Sequence, residues 1–277
     1  MELMQITLFV IVGIVGGLMG SMVGLGGGIL IVPVLSLFMG VPIKEAIAAS
    51  VVAVIATSTT GAVSYVRDEI SNIRLGMTLE TSTTIGAVLG GLTATMLKAQ
   101  VLQAIFGVLL VLMAGYLYLK RRQKNAYELA EDPGLLGGRY HDPYLKTDVC
   151  YQVRQLPIGL AASFVAGNIS GLLGIGGGPI KVPVMTIAMG VPMKAAAATS
   201  NFMIGVTACA SAYIYYTRGM VNPLVAVPVA LGVTAGAYVG SRLAPKVSGT
   251  RLATALAVIL ILLAIQMALA VAGIRVR

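Results

Sequence analysis

Two five-residue glycine runs and one lysine are the residues whose type and spacing could do chemistry. Gly24-Leu25-Gly26-Gly27-Gly28 and Gly174-Ile175-Gly176-Gly177-Gly178 each lead into a short apolar segment with a proline five residues on. Glycine lets the backbone take positive φ and come close to a ligand, and the amides of a helix start behind such a turn attract an anion. Lys181 stands three residues after Gly178, the one charge in residues 155–193. A charge in an apolar span costs roughly 2.5–3.5 kcal/mol on insertion scales, so an ionisable residue retained there points to function. The alternative is a lysine that snorkels from the end of a short helix to the lipid interface.

Other chemistries find no residues to carry them. A dinucleotide fingerprint would need a third glycine at Ile29 or Pro179, and the phosphate-loop pattern GxxxxGK[ST] does not occur. Without it there is no sign of ATP hydrolysis, and uphill transport would draw on an ion gradient. The single histidine, His141, lies in a polar segment, and no Ser-His-Asp set or pair of intramembrane carboxylates can be assembled. Cys150 and Cys209 have no metal-ligand spacing and do not read as a disulfide. An enzyme is not expected, nor a cofactor.

The elements that must position the glycines and the lysine follow from composition. Charged residues are 10% and hydrophobic residues 57% of the 277, against about 25% and 45–50% in soluble domains. That is an integral membrane protein, and long uncharged runs show where it crosses. The expected fold is an all-α polytopic membrane protein with long spans near 4–23, 44–65, 77–97, 101–119, 155–173, 194–216, 223–243 and 252–273. Two shorter pieces, 28–40 and 178–190, are tilted short spans or re-entrant half-helices. The first span lacks a basic leader and a cleavage site and does not read as a signal peptide.

The net charge of +9 does not make a nucleic-acid protein, because the basic residues lie in loops and at span ends. Twelve charges sit in residues 120–154, opened by Lys120, Arg121, Arg122 and Lys124, which by the positive-inside rule makes this loop cytoplasmic. Its later part, 137–153, with Tyr140, Tyr144, Tyr151 and Asp142-Pro143, is expected to form a small β-hairpin.

The sequence repeats itself 150 residues on. Besides the glycine runs, Val32-Pro33-Val34 returns as Val182-Pro183-Val184, Met39-Gly40-Val41-Pro42 as Met189-Gly190-Val191-Pro192, and Tyr65 as Tyr215. Lys44, Ala46, Ala48 and Ser50 return as Lys194, Ala196, Ala198 and Ser200, and Gly86 and Gly90 as Gly236 and Gly240. The chain thus divides into a first transmembrane repeat (1–119), a linker loop (120–154) and a second repeat (155–277). Duplicated halves with paired helix breaks are a construction of secondary transporters, with the substrate where the halves meet. If the short segments cross, each half has five spans and the halves are inverted; if they re-enter, each has four and the halves are parallel. The inverted arrangement is the one expected.

Lys181 corresponds to Ile31 in the first half, so the fold itself does not require the charge. Of the acids that could partner it, Glu80 and Glu45 read first as interfacial residues. A lysine near two helix starts with few acids about it makes a positive cavity suited to an anion. Polar residues near the motifs add candidates: Ser21 before the first, Asn168 and Ser170 before the second, and Ser50 opposite Thr199-Ser200-Asn201. Each alone reads first as an interhelical hydrogen bond and second as a ligand contact, and the clusters Thr57–Thr60 and Thr81–Thr84 carry the same two readings. Gly13, Gly17, Gly232, Gly236 and Gly240 read as close helix-crossing positions.

GLGGGILIVPVL with GVPIKEAIAAS, and GIGGGPIKVPVM with GVPMKAAAATSNFMIGVTA, resemble the sulfite exporter TauE/SafE family over nearly the whole chain. The resemblance implies a multi-pass protein of the cell membrane that moves sulfite, sulfonates, sulfoacetate or related organic anions, coupled to protons or sodium. It points to Gly26, Gly27, Gly28, Gly176, Gly177, Gly178, Lys181 and Asn201. A passive anion channel and a non-transporting membrane scaffold are the alternative readings, and association of several copies is left open.

Overall fold

In hydrocarbon a backbone amide has no partner outside its own chain, so long runs of Leu, Val, Ile and Ala take the helical form. The computed structural model describes residues 3–23, 26–120, 132–142, 147–243 and 249–271. Its helices are α1 Leu3–Val23, α2 Gly28–Leu37, α3 Ile43–Arg67, α4 Ile73–Met96, α5 Ala99–Lys120, α6 Leu156–Leu173, α7 Gly178–Ile187, α8 Met193–Thr217, α9 Pro223–Leu243 and α10 Gly249–Val271. Among the described residues, seven helices are long and apolar enough to cross a membrane. α4 has the length, at 24 residues, but carries Arg74, Glu80 and a threonine-rich face. Large apolar side chains such as Ile11, Leu89, Leu112 and Leu262 point outward, a liability in water and the expected face toward lipid.

α2 and α7 are 10 residues each, about 15 Å of helix against a hydrocarbon core of about 30 Å. Gly27 and Gly177 cap them with φ 75, a left-handed conformation that a residue with a Cβ rarely adopts. α2 then turns back along the end of α1, with Gly20 against Gly27 and Gly16 against Ile31. α2, α3, α4, α5 begin at residues 28, 43, 73 and 99, and α7, α8, α9, α10 at 178, 193, 223 and 249, each 150 positions later.

Packing interlocks the two stretches of chain. α1 lies along α9 in the same direction, Gly232, Gly236 and Gly240 meeting the backbone of Val10, Ile14 and Leu18 in turn. α4 lies along α6 likewise, Gly86 and Gly90 meeting Phe164 and Asn168, and Gly167 and Gly171 meeting Thr83 and Ala87. The missing side chains let these backbones touch. α4 also runs parallel to α8, through Asn72–Thr199, Gly76–Met203 and Glu80–Thr207. α3 runs against α4, since Lys44 at its start donates to the Thr95 carbonyl at the end of α4. α3 and α8, which start 150 positions apart, are therefore antiparallel, with Ser58 and Gly61 beside Asn201.

The expected hairpin is present as β1 Gly138–Asp142 and β2 Thr147–Tyr151, antiparallel with Gly138 opposite Tyr151. Residues 143–146, including Pro143 and Tyr144, lie outside the described residues. Tyr140, Val149 and Tyr151 bury against Leu75, Leu79, Met189 and Val191, a second core at the start of α4. Asn72 Nδ2 ties it, donating to the Leu136 carbonyl and Tyr151 Oη. Burial pushes the Tyr151 phenol above its ordinary range, the Asn72 bond opposing in part. Cys150 and Cys209 are free thiols.

Candidate transport site

The two glycine motifs meet at the centre of the bundle. A Cβ placed on Gly28 would stand 2.5 Å from the Gly174 carbonyl, and one on Gly26 3.4 Å from the Ile175 carbonyl. Gly176 takes φ 78, and a Cβ there would stand 2.5 Å from Ile204. Val54 of α3 and Ile204 of α8 both border Gly26 and Gly176. Ser50 Oγ donates to the Gly174 carbonyl at 2.8 Å, a bond that ties α3 to the turn ahead of α7. Gly27 and Gly177 lie instead against the helices preceding them, Gly27 on Gly16 and Gly177 on Ala166 and Ser170, and Gly178 opens α7, buried.

Lys181 does not snorkel. Its side chain has no exposed surface, and Nζ lies 3.2 Å from Glu80 Oε2, itself 3% exposed. Nζ also donates to Thr207 Oγ1 at 2.9 Å, and that hydroxyl lies 2.5 Å from Glu80 Oε1 and 3.1 Å from the Met203 carbonyl. Thr84 donates to the same Glu80 oxygen at 3.3 Å. The elements that bring the three together are α4, α7 and α8. Lys181 Cε lies 3.3 Å from the place a Cβ of Gly177 would take, so the side chain passes over the glycine cap of its own helix.

This corrects two expectations. Glu80 is not an interfacial residue; it is the buried counter-ion of Lys181. The lysine therefore does not by itself make the cavity positive, because the paired carboxylate cancels it. A buried charge is tolerable only when paired and hydrogen-bonded, and both conditions are met. A sequence signal for the pair existed: Lys181 and Glu80 are opposite charges whose counterparts 150 positions away, Ile31 and Ala230, are both apolar. Thr207 carried no such signal, because its counterpart Thr57 is also threonine.

The remaining candidates separate. Ser200 and Asn201 are fully buried, and Ser200 Oγ and both side-chain polar atoms of Asn201 have no hydrogen-bond partner among the described residues. Asn201 faces Gly61, and its carbonyl accepts from Ser58. Ser170 lies beside Gly177 and Lys181. Ser21 bonds Leu18 of its own helix and packs on Gly240, and Asn168 supplies the backbone on which Gly86 and Gly90 close. Those two are helix-contact residues. Glu45 accepts from Asn222 at 3.0 Å at the start of α9, away from the ion pair.

Apolar helices arranged for lipid, interrupted twice by glycine turns that meet around buried polar groups, define a polytopic membrane protein of the transporter class. The chain belongs to the sulfite exporter TauE/SafE family, whose model matches residues 9–267. It is 28% identical over 236 residues to the probable membrane transporter protein YunE of Bacillus subtilis, 83% of this chain and 85% of that one. A probable membrane transporter protein of Methanocaldococcus jannaschii is 25% identical over 240 residues, 83% of this chain and 81% of that protein. Over a shorter reach of 62 residues, 22% of this chain and 14% of the other, it is 42% identical to Sulfite exporter TauE/SafE family protein 5 of Arabidopsis thaliana. No solved structure matches the chain.

Proposed function

We infer that this protein is a secondary transporter of small anions such as sulfite, sulfonates or sulfoacetate, working by alternating access and driven by an ion gradient. The observation that carries the reading is the meeting of the two glycine turns beside the buried Lys181–Glu80 pair. Helix-start amides, Ser50, Asn201 and Lys181 would hold the anion. Fully buried Ser50, Ser200 and Asn201 suit a site closed to both sides between openings.

The halves act as an inverted pair. The antiparallel course of α3 and α8, which start 150 positions apart, supports this, as does the alternation of direction through α1 to α4. In this arrangement Arg67, Arg74, Lys194 and the 120–154 loop share the cytoplasmic side of the cell membrane, in keeping with the hairpin seated on the start of α4. Rocking of one half against the other would expose the site alternately.

Counterflow of labelled sulfite and methanesulfonate in proteoliposomes tests transport; a carrier accelerates uptake when unlabelled anion is preloaded. Absence of counterflow for either anion, with no thermal stabilisation by them, sinks the reading. Bilayer currents far above carrier turnover would identify a channel instead. Single cysteines placed at 42 and 192, with Cys150 and Cys209 replaced, should label from opposite sides; labelling from one side would overturn the inverted arrangement.

A further inference from the structure

We propose that Glu80, Thr207 and Lys181 form the coupling device: Lys181 leaves Glu80 for the transported anion, and Glu80 takes a proton from the same aqueous side, so that one proton travels with each monovalent anion. The inference deepens the transport reading and rests on it.

The argument begins with charge conservation in a dry site. Lys181 Nζ and Glu80 Oε2 stand 3.2 Å apart with essentially no exposed surface, and an ammonium paired with a carboxylate there carries no net charge. An anion entering beside it would leave one net negative charge in a low-dielectric interior, which is strongly disfavoured. Protonation of Glu80 restores neutrality: the ammonium now faces the anion, and the carboxyl needs only neutral hydrogen-bond partners. Among the described residues no other titratable group of the packed helices lies beside the pair. α7 carries no charge besides Lys181 and α6 carries none; Arg74 and Lys194 stand at the outer starts of α4 and α8. On α8, Cys209, Tyr213 and Tyr216 are exposed, and Tyr215 Oη donates to the Gly171 carbonyl two turns beyond Thr207.

Thr207 supplies the switch. Its single hydroxyl proton has two acceptors in reach, Glu80 Oε1 at 2.5 Å and the Met203 carbonyl at 3.1 Å. With Glu80 ionised the hydroxyl donates to the carboxylate and accepts from Lys181. With Glu80 protonated it can turn to Met203 and accept from the carboxyl, so both states are satisfied without moving a helix. The stem of Lys181 lies over Gly177, its Cε 3.3 Å from where a Cβ would stand, so the glycine cap leaves room beside the lysine. The first glycine turn has no such device: Ile31 of the first half and Ala230 of the second occupy the matching positions. Proton coupling is therefore a property of the second glycine turn, built from Lys181 and Thr207 of the second half and Glu80 of the first.

The test uses the whole protein in proteoliposomes with a pH dye inside. Methanesulfonate is the proton-free probe, since it is ionised at neutral pH, and labelled sulfite is the second. For the wild type the expected result is acidification of the lumen with inward anion flux, uptake driven by an acid exterior, and no response to an imposed membrane potential. Glu80→Gln, a mimic of the protonated carboxyl, should keep anion counterflow but lose acceleration by the pH gradient, with one fewer proton carried per anion. Should Glu80→Gln fail to fold, the double variant Lys181→Ile with Glu80→Ala, which copies the residues at the first glycine turn, should fold and show no gradient-driven uptake. Wild-type flux of methanesulfonate without proton movement overturns the proposal, as does unchanged gradient-driven uptake in Glu80→Gln; in either case intact counterflow leaves the transport reading standing. No counterflow in the wild type removes both.

Discussion

Lys181, Glu80 and Thr207 in one turn correspond to Ile31, Ala230 and Thr57 in the other. The surroundings are built alike: a glycine cap at φ 75, a 10-residue helix with a proline in it, and a partner helix closing on glycines. In the first turn Ile31 fills the space against Gly16, and Thr57 bonds back to Ala53 of its own helix. In the second, the same volume holds an ion pair and a bridging hydroxyl. The scaffold is therefore indifferent to whether this position is apolar or charged, provided both partners change together. Under the proposed coupling, what stabilises the fold and what carries the proton are separable here, and the separation can be attacked by mutation.

The largest effect should come from breaking the charged turn on one side only. Glu80→Ala leaves Lys181 buried without its partner and should cost about 3–5 kcal/mol, read as a drop in melting temperature in detergent. Adding Lys181→Ile to it should return stability to within about 1–2 kcal/mol of the wild type or above it, since apolar replacement of a buried pair is often neutral. A double variant no more stable than Glu80→Ala would show that the two turns are not interchangeable frames.

Next comes the converse change. Ile31→Lys places an unpaired charge opposite Ala230 and should cost roughly 2.5–3.5 kcal/mol, with Ala230→Glu recovering part of it in a double-mutant cycle. A smaller loss is expected where the two halves are alike. Gly90→Ala and Gly240→Ala, whose Cβ atoms would come within 2.0 Å of the Asn168 carbonyl and 2.5 Å of the Leu18 carbonyl, should each cost about 1–3 kcal/mol by overpacking. Unequal losses would mark one helix contact as the yielding one. Smallest is Ser50→Ala, which removes the tie to the Gly174 carbonyl and should cost about 0.5–1.5 kcal/mol; a larger fall in anion counterflow than in stability would assign Ser50 to the site.

Much of the architecture was legible in the residues. Uncharged runs long enough to span a bilayer marked the helices, and glycines at fixed offset marked the breaks, because hydrocarbon leaves the backbone few options. The strands of the hairpin were legible from the tyrosines and the Asp142-Pro143 step. The role of Ser21 and Asn168 was not, since a small polar residue near a glycine motif looks the same whether it faces a ligand or a neighbouring helix. Glu80 was misread for a related reason: its place early in a span fits an interface, and only the packing of α4 on α8 moves it inward.

By itself the sequence determined that the chain lives in a membrane, that its glycine turns come in pairs, and that one lysine lacks an apolar excuse. Those properties depend on local composition and on chain-internal hydrogen bonding, which need no partner. The tertiary structure alone decided that α4 crosses to pack on α6 and α8, bringing Glu80 to Lys181 over 101 residues of chain. Pairing of charges depends on distance in space, and helix direction and interlocking set that distance.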